Sequence, residues 1–150
     1  MEHAIAKSPI HLWIVGGLAT LWNGFGCFDY LMTRTRGAAY IESMMPTLDG
    51  DAMMAYIDSF PIWAALGWGL GVWAGLAGSI LLLLRHRWAV PVLGLSLLGA
   101  VIGIGYQIAN PAGIIEISQG FNAMMPYVII IIAVVLFVYA RAMRIKGVLR

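Results

Sequence analysis

The sequence predicts an all-α polytopic membrane protein, a four-transmembrane-helix bundle with short amphipathic interfacial helices in its first outer loop. Three observations carry that expectation. Of the 150 residues, 61% are hydrophobic and only 11% charged, against about 45–50% and about 25% in soluble domains. Four stretches are apolar over the length a hydrocarbon core requires, about 20 residues. The cations, finally, segregate onto alternate connecting segments. A chain of this length is expected to form one domain, residues 1–150, and the spans leave no room for a soluble catalytic domain.

The expected spans are 10–31, 61–84, 88–108 and 126–141. An even number places both termini on one side. Of the nine Lys and Arg, seven (Lys7, Arg85, Arg87, Arg141, Arg144, Lys146, Arg150) fall on the terminal side and two (Arg34, Arg36) on the other. The positive-inside rule then gives a multi-pass membrane protein with N-in and C-in. Glu42, Asp49, Asp51, Asp58 and Glu116 all fall outside, in agreement. Lys7 before an apolar run has the look of a signal peptide. The stretch GFGC lacks the aliphatic residue that a lipoprotein site needs three before the cysteine, so an uncleaved first span is expected.

Span one, IHLWIVGGLATLWNGFGCFDYL, carries Asn23 in its outer half and Asp29 near the outer interface. Asp29 is expected to pair with Arg34 or Arg36 and so end the span, with a solute or proton site as the competing role. Nearby cations favour the carboxylate and count against proton work. Cys27 is the sole cysteine, which excludes an internal disulfide or CxxC chemistry, and is expected to pack between helices.

The outer loop, residues 32–60, keeps helical periodicity. Tyr40, Ile41, Met44, Met45 and Leu48 form one apolar stripe, and Pro46 interrupts it. Asp49 or Asp51 can cap a second helix whose stripe is Met53, Met54, Ile57 and Phe60. Two short amphipathic helices on the outer membrane face follow, able to lid the bundle. The methionine doublets at 44–45, 53–54 and 124–125 suit Cu(I) as soft ligands, but without an outer histidine they are expected to be apolar filler. His3, His11 and His86 fall on the inner side without ligand spacing, so no metal and no cofactor is expected.

Span two, GWGLGVWAGLAGS, places Gly67, Gly71, Gly75 and Gly78 on one stripe, and span three adds Ser96, Gly99 and Gly103. Helices in lipid associate through close approach at small residues, so spans one to three should form the tight core. Span four, YVIIIIAVVLFVYA, should face lipid over most of its surface. Arg85–Arg87 is a tight inner turn, residues 110–122 an outer surface turn, and the tail RAMRIKGVLR a basic anchor on anionic lipid. Trp13, Trp63, Trp88 and Tyr127 fit interfacial belts.

Asn23, Asp29, Tyr30, Trp68, Tyr106 and Gln107 are the candidate ligand-lining residues, expected to converge on an outward-facing zone beneath the lid. Polar groups within a bilayer are either binding sites or interhelical ties. No GxSxG, HExxH, GxxxxGK or deep acid pair is present, so no enzyme is expected. Topology and a net charge of +2 exclude nucleic acid.

Across LWNGFGCFDYLMTRTRGAAYIESM and SFPIWAALGWGLGVWAGLAGSILLLLRHRWAVPV the chain resembles a family of small bacterial four-span membrane proteins often labelled "sugar transporter". The likeness rests on Trp22 and Asn23, Gly26, Asp29 and Tyr30, Phe60 and Pro61, Gly78 and Ser79, and the basic turn before Ala89, Val90 and Pro91. It runs to about Val101 and weakens beyond. It implies solute transport and assigns no binding residues. Small multidrug exporters share the span count, but their first-helix glutamate has no counterpart at Ala19 and Thr20. Expected partners are membrane lipids, with a small solute or lipophile, or alternatively a larger membrane complex or homo-oligomer in which the chain is a non-catalytic accessory subunit.

Overall fold

The computed structural model describes residues 9–150; His3 and Lys7, which entered the charge and ligand arguments, lie outside them. Seven helices follow in order: α1 (Ile10–Arg36), α2 (Ala38–Met44), α3 (Gly50–Asp58), α4 (Ile62–Leu83), α5 (Ala89–Ala109), α6 (Ile115–Ser118) and α7 (Gly120–Ile145). No strand occurs among the described residues. By length and composition α4, α5 and α7 can each cross a membrane.

α1 packs antiparallel along α4, α4 along α5, and α5 along α7. The order closes on itself where the start of α1 meets the end of α7. There Leu12 and Ala19 of α1 meet Leu82 of α4, Leu93 of α5, and Leu136, Ala140 and Met143 of α7 in one buried cluster. His11 Nδ1 and the Tyr139 hydroxyl share a hydrogen bond of 2.6 Å across α1 and α7. This is the basic end, and the opposite one, capped by α2, α3 and α6, is the lid end.

α1 runs past the expected boundary at Leu31 because nothing in Met32–Arg36 breaks a helix. The helix stops at Gly37, whose φ of 54° and ψ of −133° are tolerated by glycine and strained for other residues. α2 follows at once and ends before Pro46. Asp49 caps α3, its carboxylate accepting from the Ala52 N–H at 2.9 Å, which selects it over Asp51. α3 begins tight against α2: a Cβ on Gly50 would lie 2.6 Å from the Ala38 carbonyl oxygen.

The α4–α5 turn closes through paired bonds of the Schellman type. His86 N–H donates to the Leu81 carbonyl (2.8 Å) and Arg85 N–H to that of Leu82 (3.0 Å). Arg85 occupies the left-handed position at φ 58°, where glycine is usual. α7 ends in the same motif, now with Gly147 at φ 68°. Val148 N–H reaches the Met143 carbonyl and Gly147 N–H that of Arg144, each at 3.0 Å.

That second turn redirects the end of the segment RAMRIKGVLR, expected as a basic anchor on anionic lipid. It sends the tail back into the bundle, where Val148 and Leu149 are buried. Arg150 N–H donates to the Arg85 carbonyl (2.8 Å), and Arg87 N–H to the Arg150 carbonyl (2.6 Å). The fourth apolar helix likewise differs from its expected bounds of 126–141. α7 starts at Gly120, with Pro126 inside it, and residues 115–118 of the expected surface turn form α6. Most of α7 is exposed or half-buried, but its Leu136, Ala140 and Met143 belong to the core.

Glycine seams hold α4 to its neighbours. A Cβ on Gly67 would meet Ile102 and the Gly103 backbone, one on Gly78 would meet Leu93, and one on Gly99 would strike the Gly71 backbone. A Cβ on Gly103 would stand 2.7 Å from the Trp68 amide nitrogen. Without side chains at these positions the helix axes approach more closely than larger residues permit, which strengthens dispersion contact where burial from water gives none.

Candidate functional site

Asn23 is a tie between helices. Its Nδ2 donates to the Ala19 carbonyl (2.9 Å) on α1 and to Ser79 Oγ (3.0 Å) on α4. Ser79, fully buried, donates onward to the Gly75 carbonyl at 2.8 Å. One helix further, Ser96 of α5 donates to the Gly71 carbonyl of α4 at 2.7 Å. A Cβ on Gly75 would collide with Asn23 Oδ1 and come within 3.0 Å of Ser96 Oγ, so the glycine makes room for the polar knot. Cys27 adds a thiol donor to the Val72 carbonyl at 3.2 Å.

Asp29 corrects the expected ion pair with Arg34 or Arg36. Its carboxylate accepts from the Tyr40 hydroxyl at 2.9 Å. Arg34 turns instead to Asp58, 3.6 Å away with both side chains well exposed. The cause is the reversal at Gly37, which lays the first turn of α2 back against α1. Tyr40, 6% exposed, also meets Phe28 edge-on at 6.3 Å. Burial first, then the hydrogen bond and charge of Asp29, push its pKa up to about 12.

The aromatic candidates find ring partners. Tyr30 meets Trp68 edge to face at 4.8 Å, and its hydroxyl lies against Gly69. Tyr106 meets Phe60 at 5.1 Å and Trp63 at 5.4 Å, while Phe60 meets Tyr56 at 5.0 Å. Tyr56 ties α3 to the end of α5 through the Asn110 carbonyl at 2.8 Å. Burial, and then the neighbouring Tyr106, push the Tyr56 pKa up. Above Trp68, the lid cluster of Ile41, Leu48 and Ile57 is filled out by Met45, Met53 and Met54.

The six candidates therefore fall into separate groups. Asn23 sits with Ser79 and Ser96, Asp29 with Tyr40, Tyr30 with Trp68, and Tyr106 with Phe60 and Trp63. Gln107 is half-buried and makes no hydrogen bond among the described residues. It stands eleven residues beyond Ser96 on α5, about 16 Å at the helical rise, so Asn23 and Gln107 do not share a level. Ser79, Tyr40 and Phe60 were not among the candidates. Tyr40 and Phe60 were legible as members of the lid stripes, and Ser79 and Phe60 as part of the family likeness.

Depressions of about 550 and 300 Å³ lie at the basic end. The larger is lined by Val90, Phe137, Arg141, Arg144 and Ile145, the smaller by Leu84, Arg85, His86 and Arg150. Among the described residues no three His, Cys, Asp or Glu side chains come together as metal ligands. No family model, curated protein or solved structure matches this chain.

Proposed function

We propose that the chain is a four-span inner-membrane protein with both termini inside, acting as a non-catalytic accessory or assembly subunit of a larger membrane complex. The fourth span in this reading is α1. Its polar groups are already satisfied, as a helix in hydrocarbon requires: Thr20 donates to the Gly16 carbonyl at 2.8 Å, Asn23 to Ser79 and Cys27 to Val72. The observation that carries the accessory role is that five of the six candidates, all but Gln107, are occupied by one another or by neighbours within the chain. What remains for a partner is apolar surface, including Ile14, Leu18, Leu21, Phe25 and Phe28 along α1, each more than half exposed.

The test is purification of the tagged chain from native membranes in mild detergent, with mass spectrometry of the bound proteins and lipids. A stoichiometric membrane-protein partner is expected. A partner-free protein carrying a bound small solute would sink the accessory role. Asn23→Leu separates the roles as well. Here it should lower the melting temperature, since the Ser79 tie is worth about 0.6–2 kcal/mol, without altering any ligand response.

A second reading, binding or passage of a small solute or lipophile through the outward-facing zone, is favoured by Gln107. The residue is half-buried, and its amide makes no hydrogen bond among the described residues. The family likeness points the same way. Intrinsic tryptophan fluorescence titrated with neutral mono- and disaccharides should then respond, and Gln107→Leu should erase the response. A flat titration removes sugars from this reading.

A further inference from the structure

We infer that the groove between α5 and α7 at the basic end is a binding site for one anionic phospholipid of the inner leaflet. The inference rests on the membrane placement proposed above and is independent of the accessory role.

The groove follows from local packing. Phe137 of α7 lies against Gly94 of α5, where a Cβ would come within 3.3 Å of the ring. One turn lower on α5, Val90 forms the facing wall, and Ile145 continues the apolar lining toward the helix end. Arg141 and Arg144, three residues apart and so on neighbouring positions of one face, complete the lining of about 550 Å³. An apolar slot with two exposed arginines on its rim matches a phospholipid, with an acyl chain along Phe137 and Val90 and the phosphate between the arginines. Guanidinium forks suit phosphate oxygens geometrically as well as by charge.

Charge selects the occupant. Neither Arg141 nor Arg144 has a hydrogen bond or ion pair among the described residues. The described carboxylate side chains, of Asp29, Glu42, Asp49, Asp51, Asp58 and Glu116, all lie toward the lid end, on α1's upper turns, α2, α3 and α6. The chain therefore supplies no described carboxylate side chain to neutralise this pair, while an inner leaflet rich in anionic lipid does. A free phosphate would leave the apolar wall uncovered. A zwitterionic lipid would bring its own cation to the same rim.

The experiment uses the purified full chain in mild detergent, offered equimolar phosphatidylglycerol and phosphatidylcholine and read by native mass spectrometry. One phosphatidylglycerol is expected to stay bound, on the order of tenfold over phosphatidylcholine. Arg141→Gln with Arg144→Gln should lower its retention on the order of tenfold, from the loss of two surface cations. Lys146→Gln, outside the groove, should leave it unchanged. Equal retention of both lipids by the unmodified chain overturns the inference, and that comparison needs no variant to fold. So does full retention by the double variant with native helical content, or an equal loss in Lys146→Gln. Displacement of lipid by a stoichiometric acidic protein would assign the groove to that protein instead.

Discussion

Burial of the Tyr40 hydroxyl beside Asp29 couples two groups that would each be costly to desolvate alone. The phenol donates to the carboxylate at 2.9 Å, a charge-assisted bond that keeps the proton on oxygen. Unfolded, Tyr40 would ionise near its usual value of about 10, whereas in the fold its pKa is pushed up to about 12. The unfolded chain thus gives up this proton first as pH rises. The stability that the neutral phenol contributes is complete below pH 10 and is lost as pH climbs toward 12. An absorbance titration of tyrosinate should show a late-titrating group near pH 12 that vanishes in Tyr40→Phe. At neutral pH the same variant should be destabilised by about 1–3 kcal/mol, since Asp29 loses a donor. An unchanged titration would mean that Tyr40 is free of Asp29. Arg34 and Asp58 should matter far less, because both are exposed and such pairs contribute about 0–1 kcal/mol.

At the scale of elements, the α4–α5 seam makes a sharper demand than any single hydrogen bond. Gly99 faces the Gly71 amide and the Gly67 carbonyl oxygen, the latter 2.7 Å from where a Cβ would stand. Backbone cannot rotate aside as a side chain can. Gly99→Ala should therefore force the helices apart, at a cost of about 1–3 kcal/mol or more. Gly105, on the same helix with nothing within 4 Å of its Cβ position, is the internal control: alanine there should leave the melting temperature in detergent unchanged or raise it. Equal effects at both positions would rule out close packing as the reason for the glycine at 99. This seam was legible in the sequence because glycines three and four residues apart define a face whatever lies opposite. The Asp29–Tyr40 bond was not legible, since its geometry depends on the backbone angles of Gly37. Nor was the inward tail legible. Val148 and Leu149 read as the end of a basic segment until the turn at Gly147 aims them at the core.

Across the whole molecule the two ends are held by different means. At the basic end α1, α4, α5, α7 and the tail share one cluster, and Leu149 is only 5% exposed within it. At the lid end α2, α3 and α6 are held by a smaller cluster around Ile41, Leu48 and Ile57 together with the edge-on rings. Short helices with few buried contacts open at lower free energy than long ones locked at a seam. Leu149→Ala should therefore cost about 2–4 kcal/mol of global stability and speed amide exchange in α4, α5 and the end of α7 together. Ile57→Ala removes a comparable buried volume, yet its effect should stay in α2, α3 and residues 110–119, with α4 and α5 as protected as before. Hydrogen exchange of both variants in one detergent decides the matter. If Ile57→Ala loosens α4 and α5 as much as Leu149→Ala does, lid and bundle open as one unit. The lid could then not move independently to admit a solute, and the accessory role would gain at the expense of passage.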